Sequence, residues 1–118
     1  MNSFYAKDRN QWRTWLAENA TSRKEVWLVY YKKDSRKTSI THEEAVRQAI
    51  CFSWIDGVVK KLDEERTVRR FGPRKPDSRW SGLNIERAEA LIRSGEMTAA
   101  GLAAFRPNNE DRSKGGLG

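Results

Sequence analysis

The run from Glu25 to Tyr31, EVWLVYY, restricts most strongly how this chain can fold. It is β-branched and aromatic throughout, in a chain whose hydrophobic content is only 37% and whose charged content is 33%. Such residues fit a pleated, packed surface, so the run reads as a strand. Its apolar residues do not alternate with polar ones. Both faces of the strand therefore need cover, in part from helices.

Helices with that capacity are legible on either side. Asp8 and Gln11 have the spacing of a capping pair, and Trp12, Trp15 and Leu16 follow at i, i+3, i+4, which predicts a helix over 8–19. Thr41, His42, Glu43 and Glu44 form a capping box, because the Thr41 hydroxyl can accept from the Glu44 amide while the Glu44 carboxylate reaches back. Ala45, Val46, Ala49 and Ile50 are the apolar stripe of the helix behind it, which ends near Ser53. Further strands are expected over 55–62 and 67–71, joined through Asp63, Glu64 and Glu65 without a glycine. Pro73 and Pro76 exclude regular structure between Gly72 and Asp77. A helix over 81–93 turns Ile85, Ala88, Leu91 and Ile92 inward and stops at Gly95. Thr98 caps a last helix, with Met97 and Leu102 spaced as a hydrophobic staple and Pro107 as its end. The tail, 107–118, is polar and glycine-rich and reads as disordered. The expectation is one α+β domain over 1–106, with a small antiparallel sheet of about three strands packed by about four helices.

The bulk properties narrow the setting. A chain of 118 residues supports one modest core, and five Trp, three Tyr and four Phe argue against global disorder. No run is long enough to span a membrane, and the N-terminus lacks the features of a signal peptide. A single cysteine, Cys51, excludes an internal disulfide framework and fits a reducing, cytoplasmic compartment. One histidine and one cysteine cannot supply four zinc ligands, and no motif calls for a cofactor.

Function concentrates between Phe52 and Asn84. From Lys60 to Arg79, eight basic residues face four acidic ones, which accounts for +4 of the formal +7. A basic segment interleaved with aromatics is a candidate anion-binding surface. Asp56 and Gly57 follow Trp54; structurally Gly57 permits a bulge and Asp56 a cap or an ion pair. Functionally Asp56 can serve as a carboxylate in a Trp-walled pocket facing Lys61, Arg69 or Arg74, although the structural reading weighs more. Strand alternation puts Arg66 and Arg70 beside Val68 and Arg69 beside Thr67 and Phe71, which fits an edge strand guarded by charge. The functional counterpart is a phosphate- or carboxylate-binding groove completed by Arg74, Lys75 and Arg79. Trp80 is more often core than a ligand platform, Ser81 is simplest as an N-cap, and Asn84 with Arg87 can present an amide and a guanidinium one turn apart. His42 reads as a solvated helix-start residue and Cys51 as a small core residue, so no catalytic residue is assigned. Two classes remain: a non-catalytic domain binding an anionic ligand or partner, with nucleic acid as one version despite the absence of a motif, and a small enzyme or sensor with a pocket around Trp54, Asp56, Arg69 and Trp80.

The segments CFSWIDG, LDEERTVRRFGPRKP, RWSGLNIERAEALI and MTAAGLAAF, preceded by WLAENATSRKEVWLVYYKKDSRKTSITHEEAV, closely resemble the YdeI/OmpD-associated family, also called bacteriocin-protection proteins. The resemblance runs from about Phe4 to Phe105. Family members continue past the last helix into a longer helical segment, whereas this sequence ends in a short hydrophilic tail. The resemblance implies an intracellular bacterial protein linked to bacteriocin tolerance, envelope stress and outer-membrane porin. The family has no established reaction, so it assigns no catalytic residue.

Overall fold

The computed structural model describes residues 2–106. The expected tail and the end at Pro107 lie outside those residues. Strand β1 (Ser3–Tyr5) leads into helix α1 (Arg9–Asn19), followed by β2 (Val26–Tyr31), α2 (His42–Cys51), β3 (Trp54–Lys61), β4 (Arg66–Pro73) and α3 (Gly82–Ser94). A fourth helix, α4, covers 99–106 of the described residues.

The α+β class is as expected, but the sheet is not the three-stranded antiparallel one. It has four strands in the order β1-β2-β4-β3. It is mixed, because β1 runs parallel to β2, with Phe4 opposite Leu28. Three residues carry no periodicity, which is why β1 cannot be read from the sequence; it is held by the open side of β2 and by Phe4 packing against Trp12 and Trp15. β4 is not an edge strand. It lies between β2 and β3, so its arginines do not guard an exposed edge. The alternation along it does follow the expected pattern: Arg69 and Phe71 stand opposite Leu28 and Val26, and Arg70 and Val68 opposite Trp27 and Val29.

The turn between β3 and β4 needs no glycine because Asp63 supplies it. One carboxylate oxygen accepts from the Glu65 and Arg66 amides at 3.0 and 2.9 Å, the Asx geometry that substitutes for a backbone turn. Farther along, the register passes from Asp56 opposite Phe71 to Val59 opposite Arg69. Gly57 and Val58 thus face Arg70 alone, a β-bulge that bends the strand beside Asp56.

The four caps read from the sequence organise the helices. Asp8 accepts from Gln11, Thr41 and Glu44 close a reciprocal box, and Ser81 accepts from Asn84. Thr98 donates from its hydroxyl to the Cys51 carbonyl, which ties the start of α4 to the end of α2. The apolar stripe of α2 is divided between two layers. Ala45 and Ala49 join Trp12, Leu16, Leu28, Trp54 and Phe71 against the sheet. Val46 and Ile50 join Trp80, Ala88, Leu91 and Phe105 on the side of α3 and α4. The opposite sheet face buries Trp27, Val29 and Val68, with Tyr5 and Tyr31 against them, all strand residues. Its cover includes long side chains, with the Lys60 ammonium 5.0 Å from the Trp27 ring and the Lys37 ammonium 5.6 Å from that of Tyr31.

Candidate functional site

The bulge and the α2 N-terminus together make Asp56 a meeting point. Its position opposite Phe71 turns it to the helix-packed side of the sheet, where Arg69 also points. The Arg69 Nη1 lies 3.4 Å from Asp56 Oδ2 and donates to the Gly57 carbonyl at 3.1 Å. His42, the first residue of α2, brings its Nε2 to 3.6 Å from the same carboxylate oxygen. The Tyr30 ring meets His42 edge-on, with centroids 6.3 Å apart. The Tyr30 hydroxyl is buried and has no hydrogen-bond partner among the described residues. Burial pushes its pKa above the ordinary tyrosine range; the Asp56 charge adds to this and Arg69 opposes it. Burial also lowers the His42 pKa, aided by Arg69 and Arg87 and opposed by Asp56 and Glu43.

Arg74 is the second element. β4 has ended at Pro73, and the Arg74 amide donates to the Ser53 carbonyl at 2.8 Å. This holds the residue inward, and only 7% of it is exposed. Ser53 sits at φ 64°, the one non-glycine at positive φ among the described residues, a conformation that costs energy and recurs at functional sites. The guanidinium stacks on Trp80, its carbon 3.9 Å from the ring centroid, and Nη1 donates to the Ser78 hydroxyl at 3.0 Å. Its Nε and Nη2 are buried without an acceptor among the described residues, as is the Trp80 indole nitrogen. Burial lowers the Arg74 pKa, with the charge of Asp56 opposing.

A cavity of about 490 Å³ lies against this side chain, lined by Ser53, Arg74 and Lys75 on one side and by Ala100, Ala103 and Ala104 on the other. The alanines come from α4, which Gly101 brings close to α2: a Cβ there would stand 2.6 Å from the Cys51 carbonyl oxygen. Lys75 also lines a cavity of about 280 Å³ with Lys24, Asp56, Arg70 and Ser78.

The other candidate residues are placed differently. Trp54 is 1% exposed, meets Trp15 edge-on and donates its Nε1 to the Ala20 carbonyl at 3.1 Å, so its indole serves the core. Lys61 stands at the far end of β3 and pairs with Glu64 at 3.0 Å. Asn84 accepts from Arg87, whose Nε and Nη2 clasp Glu43 at 2.9 and 2.6 Å. Arg66 pairs with Asp63 and Arg70 with Glu25. Trp80, Arg74, Lys75, Asp56 and Arg69 thus remain near one another, while Trp54, Lys61, Asn84 and Arg87 hold structure together. Cys51 is fully buried and burial raises its pKa, which disfavours the thiolate. Among the described residues no group of three or more His, Cys, Asp and Glu gathers to hold a metal, and no helix is long and apolar enough to cross a membrane.

Sequence reasoning undervalued His42, Tyr30, Ser53 and Ser78. His42 stands next to a cap, where polar residues are routine, and only the packing of α2 over β3 brings it to Asp56. Tyr30 lies inside the apolar run and carried no separate signal. Ser53 is marked only by its backbone, and Ser78 only by the fold of the proline loop.

Residues 4–104 match the family model described as a domain of unknown function, DUF8412. The chain belongs to that family. No curated protein and no solved structure matches it. The DUF8412 match takes in β2, β3 and β4, all of β1 but Ser3, and the site residues from His42 to Trp80.

Proposed function

We propose that this domain binds a small anionic ligand, without transforming it, at the wall formed by Arg74 and Trp80. One observation carries the reading: an arginine more than nine-tenths buried, with two guanidinium nitrogens that find no acceptor among the described residues. Burying a charge without a partner is costly, and a chain that tolerates it leaves a ready place for a counter-charge. The cavity beside Arg74 supplies the room, and Lys75 adds a second cation at its wall.

The nucleic-acid version draws less support. Arg66, Arg69 and Arg70 are each engaged by a carboxylate, so the three arginines of β4 are not free to grip a phosphate backbone. The enzyme version has His42 and Arg69 beside Asp56 in its favour, but its Trp54 wall is spent on the core. The resemblance to YdeI/OmpD-associated proteins offers bacteriocin tolerance or envelope stress as a setting for the ligand.

A thermal-shift panel of inorganic phosphate, acetate and longer carboxylates tests the reading, with Arg74→Met beside Arg66→Ala as a surface control. Stabilisation by at least one anion should vanish in Arg74→Met and persist in Arg66→Ala. Equal shifts in both variants, or none with any anion at millimolar concentration, would sink it.

A further inference from the structure

We infer that the ligand of this site is a small monocarboxylate with an apolar body, held by the Nε–Nη2 edge of Arg74; the inference rests on the anion-binding reading above. The two nitrogens without acceptors are not an arbitrary pair. Nε and Nη2 form one side of the guanidinium and present parallel N–H groups, which match the two oxygens of a carboxylate. The same molecule shows this grip elsewhere. Arg87 clasps the two oxygens of Glu43 through Nε at 2.9 Å and Nη2 at 2.6 Å, while Arg66 turns the same edge toward a single oxygen, Oδ2, of Asp63. In Arg74 the equivalent edge has no carboxylate of the described residues against it. Its third nitrogen is already committed to Ser78, and the stacking on Trp80 fixes the plane of the fork.

The surroundings choose between anions. Ala100 and Ala103 present methyl groups across the cavity from Arg74, and its volume of about 490 Å³ is in the range of small-molecule sites, about 300–1,000 Å³. A carboxylate with a short hydrocarbon body satisfies the fork and covers the methyls. A phosphate would bring further oxygens and charge against those methyls, where they would lose water with little in return. Arg74 Nε and Nη2 are closed to water in the free form, so entry requires an outward shift of the cavity wall, at whose surface Lys75 is exposed.

Isothermal titration of the full chain with sodium hexanoate, sodium acetate, 1-hexanol and inorganic phosphate tests this. Hexanoate should bind at least tenfold more tightly than any of the other three. Arg74→Met should weaken hexanoate tenfold or more and Arg74→Lys less, since an ammonium keeps the charge but not the fork. Ala103→Leu, on an exposed helix position, should weaken hexanoate while leaving acetate unchanged. Phosphate binding as tightly as hexanoate, with loss in Arg74→Met, would overturn the ligand class and leave the anion site standing. Hexanol binding as well as hexanoate, or hexanoate binding unchanged in Arg74→Met, would overturn both.

Discussion

Arg87 on α3 and Glu43 on α2 are joined by two charge-assisted hydrogen bonds, at 2.9 and 2.6 Å, with the arginine side chain 14% exposed and the glutamate 53%. The geometry is bidentate, which puts the pair at the upper end of surface ion pairs. A double-mutant cycle with Glu43→Gln and Arg87→Met, followed by urea unfolding, should return a coupling of about 0.5–1 kcal/mol. Arg87 holds the Glu43 carboxyl below its ordinary value of 4.5. A carboxylate with a depressed folded pKa adds stability that is present above the unfolded value and is lost as pH falls through the folded one. The coupling should therefore hold at neutral pH and fade below about pH 4.5. A cycle that closes to zero at neutral pH would show that the clasp contributes nothing to stability.

His42 gives a pH dependence of the same sign from the same part of α2, but by a different cause. Its pKa is lowered, first by burial and then by Arg69, against the pull of Asp56. The unfolded chain takes up the proton first, so stability is highest above the unfolded value of about 6.5 and declines as pH drops from there through the folded value. With the imidazole half-exposed the effect is modest. In a proton NMR titration the single histidine should show a midpoint below 6.5. Asp56→Asn should move it lower still, because the carboxylate is what favours the imidazolium. A midpoint that rises in Asp56→Asn would mean the 3.6 Å contact is not made in solution.

Gly101 separates helix propensity from packing. Alanine is favoured over glycine in a helix by about 1 kcal/mol. A Cβ at Gly101 would nevertheless lie 2.6 Å from the Cys51 carbonyl oxygen and 2.9 Å from that of Ile50, both backbone atoms that cannot turn aside. Overpacking of that kind costs about 1–3 kcal/mol, so Gly101→Ala should be destabilising on balance. At Gly82, the first residue of α3, an added Cβ meets nothing within 4 Å, and Gly82→Ala should be neutral or slightly stabilising. Comparison of the two urea midpoints checks both, and a stabilising Gly101→Ala would show that α4 packs less closely on α2.

The elements were legible where a local pattern determined them. The Thr41–Glu44 box, the Ser81 cap, the Gly95 stop in left-handed conformation and the unbroken 25–31 run all translate directly into structure. β1 was not legible, because three residues gain their strand conformation only from the edge of β2. Nor was the place of β4 in the middle of the sheet, since pairing order is decided by which edges remain open after the helices pack. The same limit applies to the site. Alternation placed Arg69 on one face with Thr67 and Phe71, but the fate of Arg74 depended on a contact between its amide and Ser53, two residues that no sequence spacing relates. Charge counting treated all the arginines of the basic stretch alike. Burial and partners divide them into Arg66, Arg69 and Arg70, which pair with carboxylates, Arg79, which is exposed, and Arg74, which is buried with two nitrogens unsatisfied among the described residues.

That division leads to an expectation about stability as well as binding. Arg74 spends most of its surface on Trp80 and the surrounding core, yet two of its nitrogens are buried and find no acceptor among the described residues. Replacing it by methionine keeps an unbranched, polarizable chain against the indole and removes the uncompensated charge. Substituting apolar residues for buried ionic groups is often neutral or stabilising, and here the cost is set by one hydrogen bond to Ser78 and the stacking on Trp80. Arg74→Met should therefore raise the urea midpoint of the ligand-free protein, with an unchanged slope, at the same time as it abolishes anion binding. A site that weakens the free fold and is relieved by its ligand links the two measurements: in saturating ligand the wild type should regain part or all of the difference. If Arg74→Met instead unfolds at lower urea than the wild type, the guanidinium is structural, and its unsatisfied nitrogens do not mark a place for a ligand.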